Sequence, residues 1–314
     1  LLIATGARSK MEEIPGCDLE GVYGMRSISD AKKIEERLKK TKTAVMLGGG
    51  LIGLRAAYAL HKRGIRVTVV VKSKHVLSQM LDEEGAMFVQ SKIENEGIKV
   101  LTGLAAKEII GEAGVSGVIL ESGEKLNCEI VIIGKGVQPN VDVVKGSDIK
   151  TDRGIIVDEY LKTMVTDVYA AGDVAQSFDL ITKEATINAL WPNAVIQGKI
   201  AGLNMTGKKI KYDGSLAMNS VEFFDLPTIS YGITKPNGDG YETLVTKNIA
   251  QNRYKKIVLK NNKLVGFVIV NDIDIAGVYG SLIREKIDIA SIKNKMLEKN
   301  FNFAKILPLV AWSG

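Results

Sequence analysis

A cluster of glycines between an apolar strand and a helix constrains the fold of this chain more than any other feature. Residues 43–47 form an apolar run of strand length, and residues 51–63 have a helical pattern. Gly48, Gly50 and Gly53 connect them with the spacing G-x-G-x-x-G. The first glycine permits a tight turn, the second lets a ligand approach the backbone, and the third lets helix and strand pack closely. The pattern predicts the start of a βαβ unit.

The residues that follow extend this unit into an α/β domain. A β-branched run at residues 65–71 predicts a strand that is buried on both faces. Residues 82–96 predict a second helix, and residues 98–101 predict a third strand. Strand, helix, strand, helix and strand in this order are typical of a doubly wound parallel sheet.

A helix N-terminus that follows a glycine-rich turn suits a phosphate ligand, because its first amides have no partners within the helix. We therefore expect the loop to bind the pyrophosphate of a dinucleotide. The alternative is a glycine-rich turn without a ligand. The residues expected to bind are Gly48, Gly50, Leu51, Ile52 and Gly53.

The end of the next strand predicts which dinucleotide is preferred. An acidic residue there would accept hydrogen bonds from both ribose hydroxyls of NAD. In this chain Val71 has that position, and Lys72, Ser73 and Lys74 follow it. A carboxylate would repel a 2′-phosphate, whereas two lysines and a hydroxyl attract one, so our hypothesis is a preference for NADPH. The alternative is that both lysines are exposed loop charges.

The rest of the chain divides into further α/β elements and a C-terminal α+β part. Residues 106–110, 115–121 and 129–133 predict a small antiparallel meander that leads back to the first sheet. Two strands and a helix are predicted at residues 155–157, 168–171 and 193–203. From about residue 208 the predicted strands are residues 220–224, 228–233, 254–260 and 264–270, and the predicted helices are residues 276–285 and 289–298.

A second candidate site lies where the strand at residues 168–171 ends in Gly172 and Asp173. A carboxylate at the carboxyl end of a strand, beside a glycine that permits close approach, suits a ligand hydroxyl. Pro192 and Asn193 then begin a helix, in which proline fits the first turn and asparagine is expected to be the cap. The amides at this helix start would stabilise negative charge on a bound ring.

Composition excludes several classes of function. The net charge is +6, but aromatic residues are only 6%, so the interleaved basic and aromatic pattern of a nucleic-acid module is missing. Residues 44–60 contain four glycines and Arg55, which argues against a membrane span. Cys17 and Cys128 lie far apart without a metal motif, which indicates reduced thiols and a cytoplasmic protein, and neither cysteine is expected to be catalytic.

Several motifs occur in the order found in the FAD-dependent pyridine nucleotide-disulfide oxidoreductase family. They are LLIATGA, MLGGGLIGLRAA, IIGKGVQPN, VYAAGDVA, LWPNAVIQGKIAGLNMTG and SLAMNSVEFF. Along almost its whole length the chain resembles the branch of rubredoxin reductases, NADH oxidases and the flavin portion of the nitrite reductase large subunit. The resemblance implies an α/β fold with two Rossmann-like nucleotide-binding domains and a C-terminal α+β interface domain. The implied boundaries are residues 1–30 and 135–207 for a partial FAD-binding domain, 31–134 for an inserted NAD(P)H-binding domain, and 208–314 for the C-terminal domain.

The resemblance also assigns site residues. It implies that the glycines of the G-x-G-x-x-G loop bind NAD(P)H, and it places Gly136 and Pro139 in a loop near the join of the two cofactors. The residues that it assigns to FAD are Ala4, Thr5, Gly6, Gly172, Asp173, Asn193 and Ala194.

The chain departs from the family pattern at several positions. The family's FAD pyrophosphate motif lies upstream of the ATG motif at which this chain begins, so we expect the beginning to be missing. Arg55 stands where many relatives have Glu, and it is expected either to approach a cofactor phosphate or to have a partner within the protein. No His follows residue 75, which argues against the His–Glu proton relay of glutathione-type reductases. Phe303 and Trp312 are expected to be packing residues.

The implied function is to pass a hydride from NAD(P)H to FAD, and electrons on to a second acceptor. That acceptor is a small redox protein, a partner domain or oxygen. One alternative is an electron-transfer or nucleotide-binding subunit without turnover of its own, as in a nitrite reductase, and another is a redox sensor that binds NAD(P)H. A homodimer through the C-terminal domain is compatible with the resemblance, and neither a membrane nor a nucleic acid is expected as a partner.

Overall fold

The structure is a computed structural model that describes residues 1–310, and it separates into two compact units. The first unit consists of residues 1–9 and 137–218, and the second consists of residues 10–136 and those from 219 onwards.

The strands are β1 Leu2–Ile3, β2 Ala7–Ser9, β3 Val22–Gly24, β4 Thr43–Leu47, β5 Arg66–Val71, β6 Lys99–Thr102, β7 Ala106–Gly111, β8 Val115–Leu120, β9 Lys125–Asn127, β10 Ile130–Ile133, β11 Val137–Pro139, β12 Ile155–Ile156, β13 Tyr169–Ala170, β14 Ala175–Phe178, β15 Ala185–Thr186, β16 Met218–Phe223, β17 Leu226–Gly232, β18 Tyr241–Asn248, β19 Arg253–Lys260 and β20 Lys263–Val270. The α-helices are α1 Ile28–Leu38, α2 Leu51–His61, α3 Glu83–Asn95, α4 Trp191–Met205, α5 Ala276–Glu285 and α6 Leu307–Val310.

The second unit contains the predicted parallel sheet, with the strand order β3-β10-β4-β5-β6. Met46 and Val69 point towards the helices, and Val45 and Val70 point towards the opposite face. All four side chains are at most 3% exposed. The prediction of an α/β domain with a parallel sheet buried on both faces is therefore confirmed, with helices α1, α2 and α3 on one face and the β7 and β8 strands on the other.

The predicted meander is correct for two of its strands and wrong for the third. β7, β8 and β9 form the antiparallel sheet, so its third strand is Lys125–Asn127. Ile130–Ile133 instead joins the parallel sheet between β3 and β4. All four residues of that strand are buried, which only a central strand covered on both faces requires.

The C-terminal part of the second unit is a sheet with the strand order β16-β17-β20-β19-β18. Helix α3 packs against it, because Phe88 and Val89 share one hydrophobic cluster with Phe223, Tyr254 and other residues of that sheet. Residues 10–30, which the sequence assigned to the FAD-binding domain, cluster with this unit because β3 pairs with β10.

Two elements of the C-terminal sheet region differ from the sequence prediction. β18 was missed, because it is an edge strand whose mostly exposed residues lack a clear apolar alternation. The helix predicted at residues 289–298 is wrong, since the segment contains turns and the short 3₁₀ helix Lys295–Leu297. The Asp288 side chain accepts the Ala290 amide at 2.9 Å, and the Ile289 amide donates to Asn262, so both amides are engaged outside a helix.

The first unit is built around short strands and helix α4. β1 pairs in parallel with β13, β2 pairs with β11, and β12, β14 and β15 form a third small sheet. Its core includes Ile155, Leu161, Ala170, Val174 and Ala201, each less than 1% exposed. Within residues 1–310, the structure contains no helix long and apolar enough to span a bilayer.

Candidate functional site

The glycine loop of the second unit is required in part by the protein's own packing. Gly48 has a φ of +119°, and a Cβ atom there would lie 2.5 Å from the carbonyl oxygen of Gly134. A Cβ on Gly53 would lie 2.2 Å from the carbonyl oxygen of Gly48. Both contacts are with backbone and cannot be relieved by a side-chain movement. The first and third glycines therefore allow the strand, the turn and helix α2 to approach each other.

Gly50 differs from its two neighbours in the motif. Its φ is −80°, and the nearest atom to a Cβ there is the Gly134 carbonyl oxygen at 3.9 Å, so the protein itself would accept a side chain. Gly50 is also the N-cap of helix α2 and supplies no side-chain cap, which leaves the amides of Leu51 and Ile52 to bind an external acceptor. An open glycine in front of uncapped amides fits a pyrophosphate group.

The end of β5 has no carboxylate for a ribose. Val71 is 3% exposed, and a Cβ on Gly49 would lie 2.6 Å from its Cγ2 atom, so this side chain belongs to the core under the loop. Lys72 and Lys74 are exposed, and the Ser73 hydroxyl donates to the carbonyl oxygen of His75 at 2.9 Å.

Arg55 has a partner within the protein, one of the two arrangements expected from the sequence. Its Nη1 donates to the backbone carbonyl of Glu222 at 3.0 Å, and its Cζ lies 5.9 Å from the centre of the Tyr58 ring. The side chain remains exposed. Gly136, which follows the carboxyl end of β10, has a φ of +90°, and its carbonyl accepts the Lys10 amide at 3.0 Å.

In the first unit, the fold brings together the residues that the resemblance assigned to FAD. β1 and β13 run in parallel, and the Ala171 amide donates to Ile3 at 3.1 Å, so residues 4–6 and 172–173 leave the same edge of the pair. A Cβ on Gly172 would lie 3.5 Å from the Cβ of Ala194, which puts the start of helix α4 at that edge. This edge, formed by Ala4, Thr5, Gly6, Gly172, Asp173, Asn193 and Ala194, is called the strand-end site below.

The expected cap of helix α4 is corrected by the structure. The N-cap is Leu190, which has no side-chain cap, and Asn193 lies in the first turn, where its Nδ2 donates to the Asn188 carbonyl at 3.2 Å. Pro192 lies in the first turn as predicted. The leading amides therefore have no side-chain acceptor from the cap, and together with the half-buried Asp173 they offer both donors and a carboxylate. This donor and acceptor set fits the hydroxyls of a flavin nucleotide and the negative charge that its ring carries when reduced.

Two residues that position the strand-end site were missed. Gln197 is 4% exposed, and its Oε1 accepts the Gly172 amide at 2.7 Å. Asn140 accepts the Thr5 hydroxyl with its carbonyl oxygen at 2.8 Å and donates its Nδ2 to the Thr5 carbonyl at 2.9 Å. The signal for Gln197 was its spacing, three residues after Ala194 and four before Ala201, on the buried side of α4. Nothing in the sequence singled out Asn140 except that it is the last residue of the motif IIGKGVQPN.

A buried charged group in the second unit was also missed. Asp82 caps helix α3 by accepting the Gly85 amide at 3.0 Å. Its Oδ2 accepts Lys256 Nζ at 2.6 Å and the Tyr254 hydroxyl at 2.7 Å. Burial by itself would raise the pKa of Asp82, but these hydrogen bonds outweigh burial and hold it below its usual value of 3.8. The group links helix α3 of the dinucleotide fold to the C-terminal sheet.

Cys17 and Cys128 are both free thiols, and burial together with nearby Glu129 raises the pKa of Cys128 to about 12. Within the described part of the chain, no three His, Cys, Asp or Glu side chains converge as a metal site would require. Phe303 is 54% exposed and so is not the packing residue that was predicted, and Trp312 lies outside the described residues.

Comparison with known proteins identifies the family. The family model for pyridine nucleotide-disulphide oxidoreductases matches residues 1–198, and that for the rubredoxin NAD+ reductase C-terminal domain matches residues 218–287. The chain therefore belongs to the pyridine nucleotide-disulphide oxidoreductase family, whose members are FAD-dependent and use NAD(P)H. The resemblance seen in the sequence is confirmed.

Individual relatives agree with this assignment. The chain is 32% identical over 301 residues to the epsilon subunit of the NADH-dependent phenylglyoxylate dehydrogenase of Aromatoleum evansii, covering 95% of this chain and 71% of that one. It is also 32% identical to an NADH oxidase of Methanocaldococcus jannaschii, covering 93% of this chain and 67% of that one. The solved structure of a NAD-dependent persulfide reductase from A. fulgidus matches with a TM-score of 0.87 and 26% identity over 94% of this chain and 58% of its own length. The chain thus spans roughly three fifths to seven tenths of these relatives.

Proposed function

We propose that this chain is an NAD(P)H oxidoreductase that passes a hydride from NAD(P)H to FAD, and electrons on to a second acceptor. The observation that carries the proposal is that the glycine loop of the second unit and the strand-end site of the first unit have the same design. In each, a glycine with positive φ ends a parallel strand, and a helix without a side-chain cap begins beside it. Two such sites suit two nucleotides.

The glycine loop of the second unit binds NAD(P)H in this proposal. The amides of Leu51 and Ile52 donate to the pyrophosphate, and Gly50 leaves the space that the phosphates occupy. Gly48 and Gly53 act indirectly, because they let helix α2 approach the loop closely enough to present those amides.

The strand-end site of the first unit holds FAD, which when bound supplies a ring that accepts a hydride and releases electrons one or two at a time. Asp173 accepts hydrogen bonds from hydroxyls of the cofactor, and the first amides of helix α4 stabilise negative charge on its ring. Gln197 holds the Gly172 amide in place, and the Thr5–Asn140 pair fixes the turn at residues 4–6.

NADPH is the preferred donor in this proposal. The buried Val71 offers no carboxylate, and the exposed Lys72 and Lys74 are free to contact a 2′-phosphate.

Replacing Lys72 by alanine should weaken NADPH binding up to about fivefold, because an exposed ion pair contributes up to ~1 kcal/mol. The affinity for NADH should not change. Lys107→Ala, at another exposed lysine, is the matched control. Equal losses for both coenzymes would contradict the preference.

The second acceptor is a small redox protein, a partner domain or oxygen, and the working compartment is the cytoplasm. Reducing conditions agree with the two free thiols, one of which is buried. The chain is also compatible with a subunit that binds nucleotides and relays electrons only within a larger complex.

In the deciding experiment, the purified protein is first reconstituted with FAD. NADPH or NADH is then added to separate samples in the absence of oxygen. The expected result is bound flavin whose visible absorbance is bleached by either nucleotide, with NADPH effective at the lower concentration. Steady turnover with an artificial dye would then support an enzyme in its own right. Flavin that is bound but not bleached would favour the relay subunit, and a colourless protein that binds only NADPH would refute the proposal.

A further inference from the structure

One cavity of the second unit lies apart from the glycine loop and from the strand-end site. Its volume is about 730 Å³, and it lies in the second unit at the ends of β18, β19 and β20, beside helix α5 and residues 297–303. Small-molecule sites in proteins have volumes of roughly 300–1,000 Å³ and combine apolar walls with a few polar groups. This cavity has both features.

The apolar wall comes from three different elements. Ile269 of β20 and Phe301 are buried, Val278 of α5 and Leu297 are half-buried, and Phe303 is 54% exposed at the rim. Two aromatic rings and three aliphatic side chains suit the hydrocarbon body of a ligand rather than a small hydrated ion.

Cationic side chains outnumber acidic ones among the residues that line the cavity, and two of the four cations already form ion pairs within the protein. Four of these residues are cationic and two are acidic. Lys247 forms an ion pair with Glu84 at 3.0 Å, and Arg253 forms one with Asp272 at 2.5 Å. The cations that remain are Lys255 and Lys299, and the acid that remains is the exposed Asp274.

Lys255 is a half-buried cation without a carboxylate partner. Its Nζ lies 3.4 Å from the carbonyl oxygen of Met296 and 3.5 Å from that of Glu298, and 6.0 Å from the centre of the Tyr279 ring. Among residues 1–310, no carboxylate oxygen lies within 4.0 Å of it. Burial lowers the pKa of Lys255, with nearby Asp272 acting in the opposite sense. A bound anion would supply the missing partner and favour the charged ammonium.

We propose that this cavity binds an organic anion, a carboxylate or phosphate on an aromatic or aliphatic body, with its charged group at Lys255 and Lys299. The body packs against Ile269, Phe301 and Phe303. The site is separate from the dinucleotide loop, so its occupancy does not depend on the function proposed above.

Phenyl phosphate is the probe, and calorimetric titration of the whole chain is the measurement. NADPH is present at saturation, so that the phosphate group of the probe does not bind at the dinucleotide loop. The proposal expects saturable binding of one equivalent, with phenol and inorganic phosphate each binding at least about tenfold more weakly, because each has only half of the required chemistry.

Two substitutions locate the binding. Lys255→Met keeps the apolar stem and removes the charge, and it should weaken binding of phenyl phosphate about tenfold. Lys299→Met changes an exposed residue and should weaken it severalfold while leaving the fold intact, which keeps the test valid if the first variant is unstable. Lys107→Met, at an exposed lysine outside the cavity, is the control and should bind as the parent does.

Three results would overturn the proposal. They are an absence of saturable binding, inorganic phosphate binding as tightly as phenyl phosphate, and parent-like affinity in both cavity variants.

Discussion

The glycine loop of the second unit and the strand-end site of the first unit have the same design but different support. The loop stands on a five-stranded parallel sheet, and its first and third glycines are held by backbone contacts that exclude any side chain. The strand-end site stands on a pair of two-residue strands, and single side chains hold its turns. The comparison indicates that the glycine loop is preorganised by the packing of the sheet and helices, whereas the strand-end site depends on a few side-chain hydrogen bonds.

The largest expected effect is the loss of the buried charge that supports the second unit. Asp82→Ala would leave the ammonium of Lys256, whose side chain is 9% exposed, without its partner and would remove the cap of helix α3. We expect the free energy of unfolding to fall by about 3–5 kcal/mol, measured by urea denaturation. Asp142→Ala in the first unit is the control, because the exposed Arg8–Asp142 pair contributes at most about 1 kcal/mol. Equal losses of unfolding free energy in Asp82→Ala and Asp142→Ala would show that the buried ion pair of the second unit contributes no more than the exposed ion pair of the first unit.

The same carboxylate should make the second unit sensitive to acid. The pKa of Asp82 is lowered in the folded protein, so its contribution to stability is present above its unfolded value of 3.8 and is lost as the pH falls through the folded value. We therefore expect the parent to lose more stability than Asp82→Asn below about pH 4. Parallel stability curves for the two proteins would show that this carboxylate has no part in the acid response.

Substitutions in the glycine loop have the next largest expected effect. They should separate the packing role of Gly53 from the binding role of Gly50. Gly53→Ala places a methyl group 2.2 Å from the Gly48 carbonyl oxygen and should cost about 3 kcal/mol of stability. Gly50→Ala meets nothing closer than 3.9 Å, so it should retain the parental melting temperature and lose binding of NADPH. Calorimetry and equilibrium binding measure the two outcomes. A destabilised Gly50→Ala protein would mean that this glycine also has a packing role.

The smallest expected effect tests the side-chain support of the first unit. Gln197→Met keeps the side-chain volume but removes the acceptor for the Gly172 amide. An unpaired, partly buried amide should cost about 1–2 kcal/mol, and the turn beside Asp173 should loosen. We expect weaker FAD binding, measured by flavin fluorescence, and unchanged affinity for NADPH. A variant that retains parental FAD affinity would remove Gln197 from the positioning residues.

Local patterns predicted much of the framework. The strand at residues 43–47 and the helix at residues 276–285 have the predicted bounds, and the glycine spacing correctly indicated a turn between strand and helix. These elements depend on short-range periodicity and on backbone conformations that few residues other than glycine adopt, and both can be read locally. β18 was missed because an edge strand needs no apolar alternation, and residues 289–298 were misassigned because buried Ile289, Ile292 and Met296 have a helix-like spacing without a helix.

The sequence by itself determined the α/β class, the family, the glycine loop and the residues of the strand-end site, because each is encoded in the order and spacing of neighbouring residues. Only the tertiary structure revealed the Asp82–Lys256–Tyr254 group, the support that Gln197 and Asn140 provide, and the cavity beside Lys255. Those features join residues up to 174 positions apart. Their energies depend on burial and on distances of about 3 Å, which no linear pattern specifies.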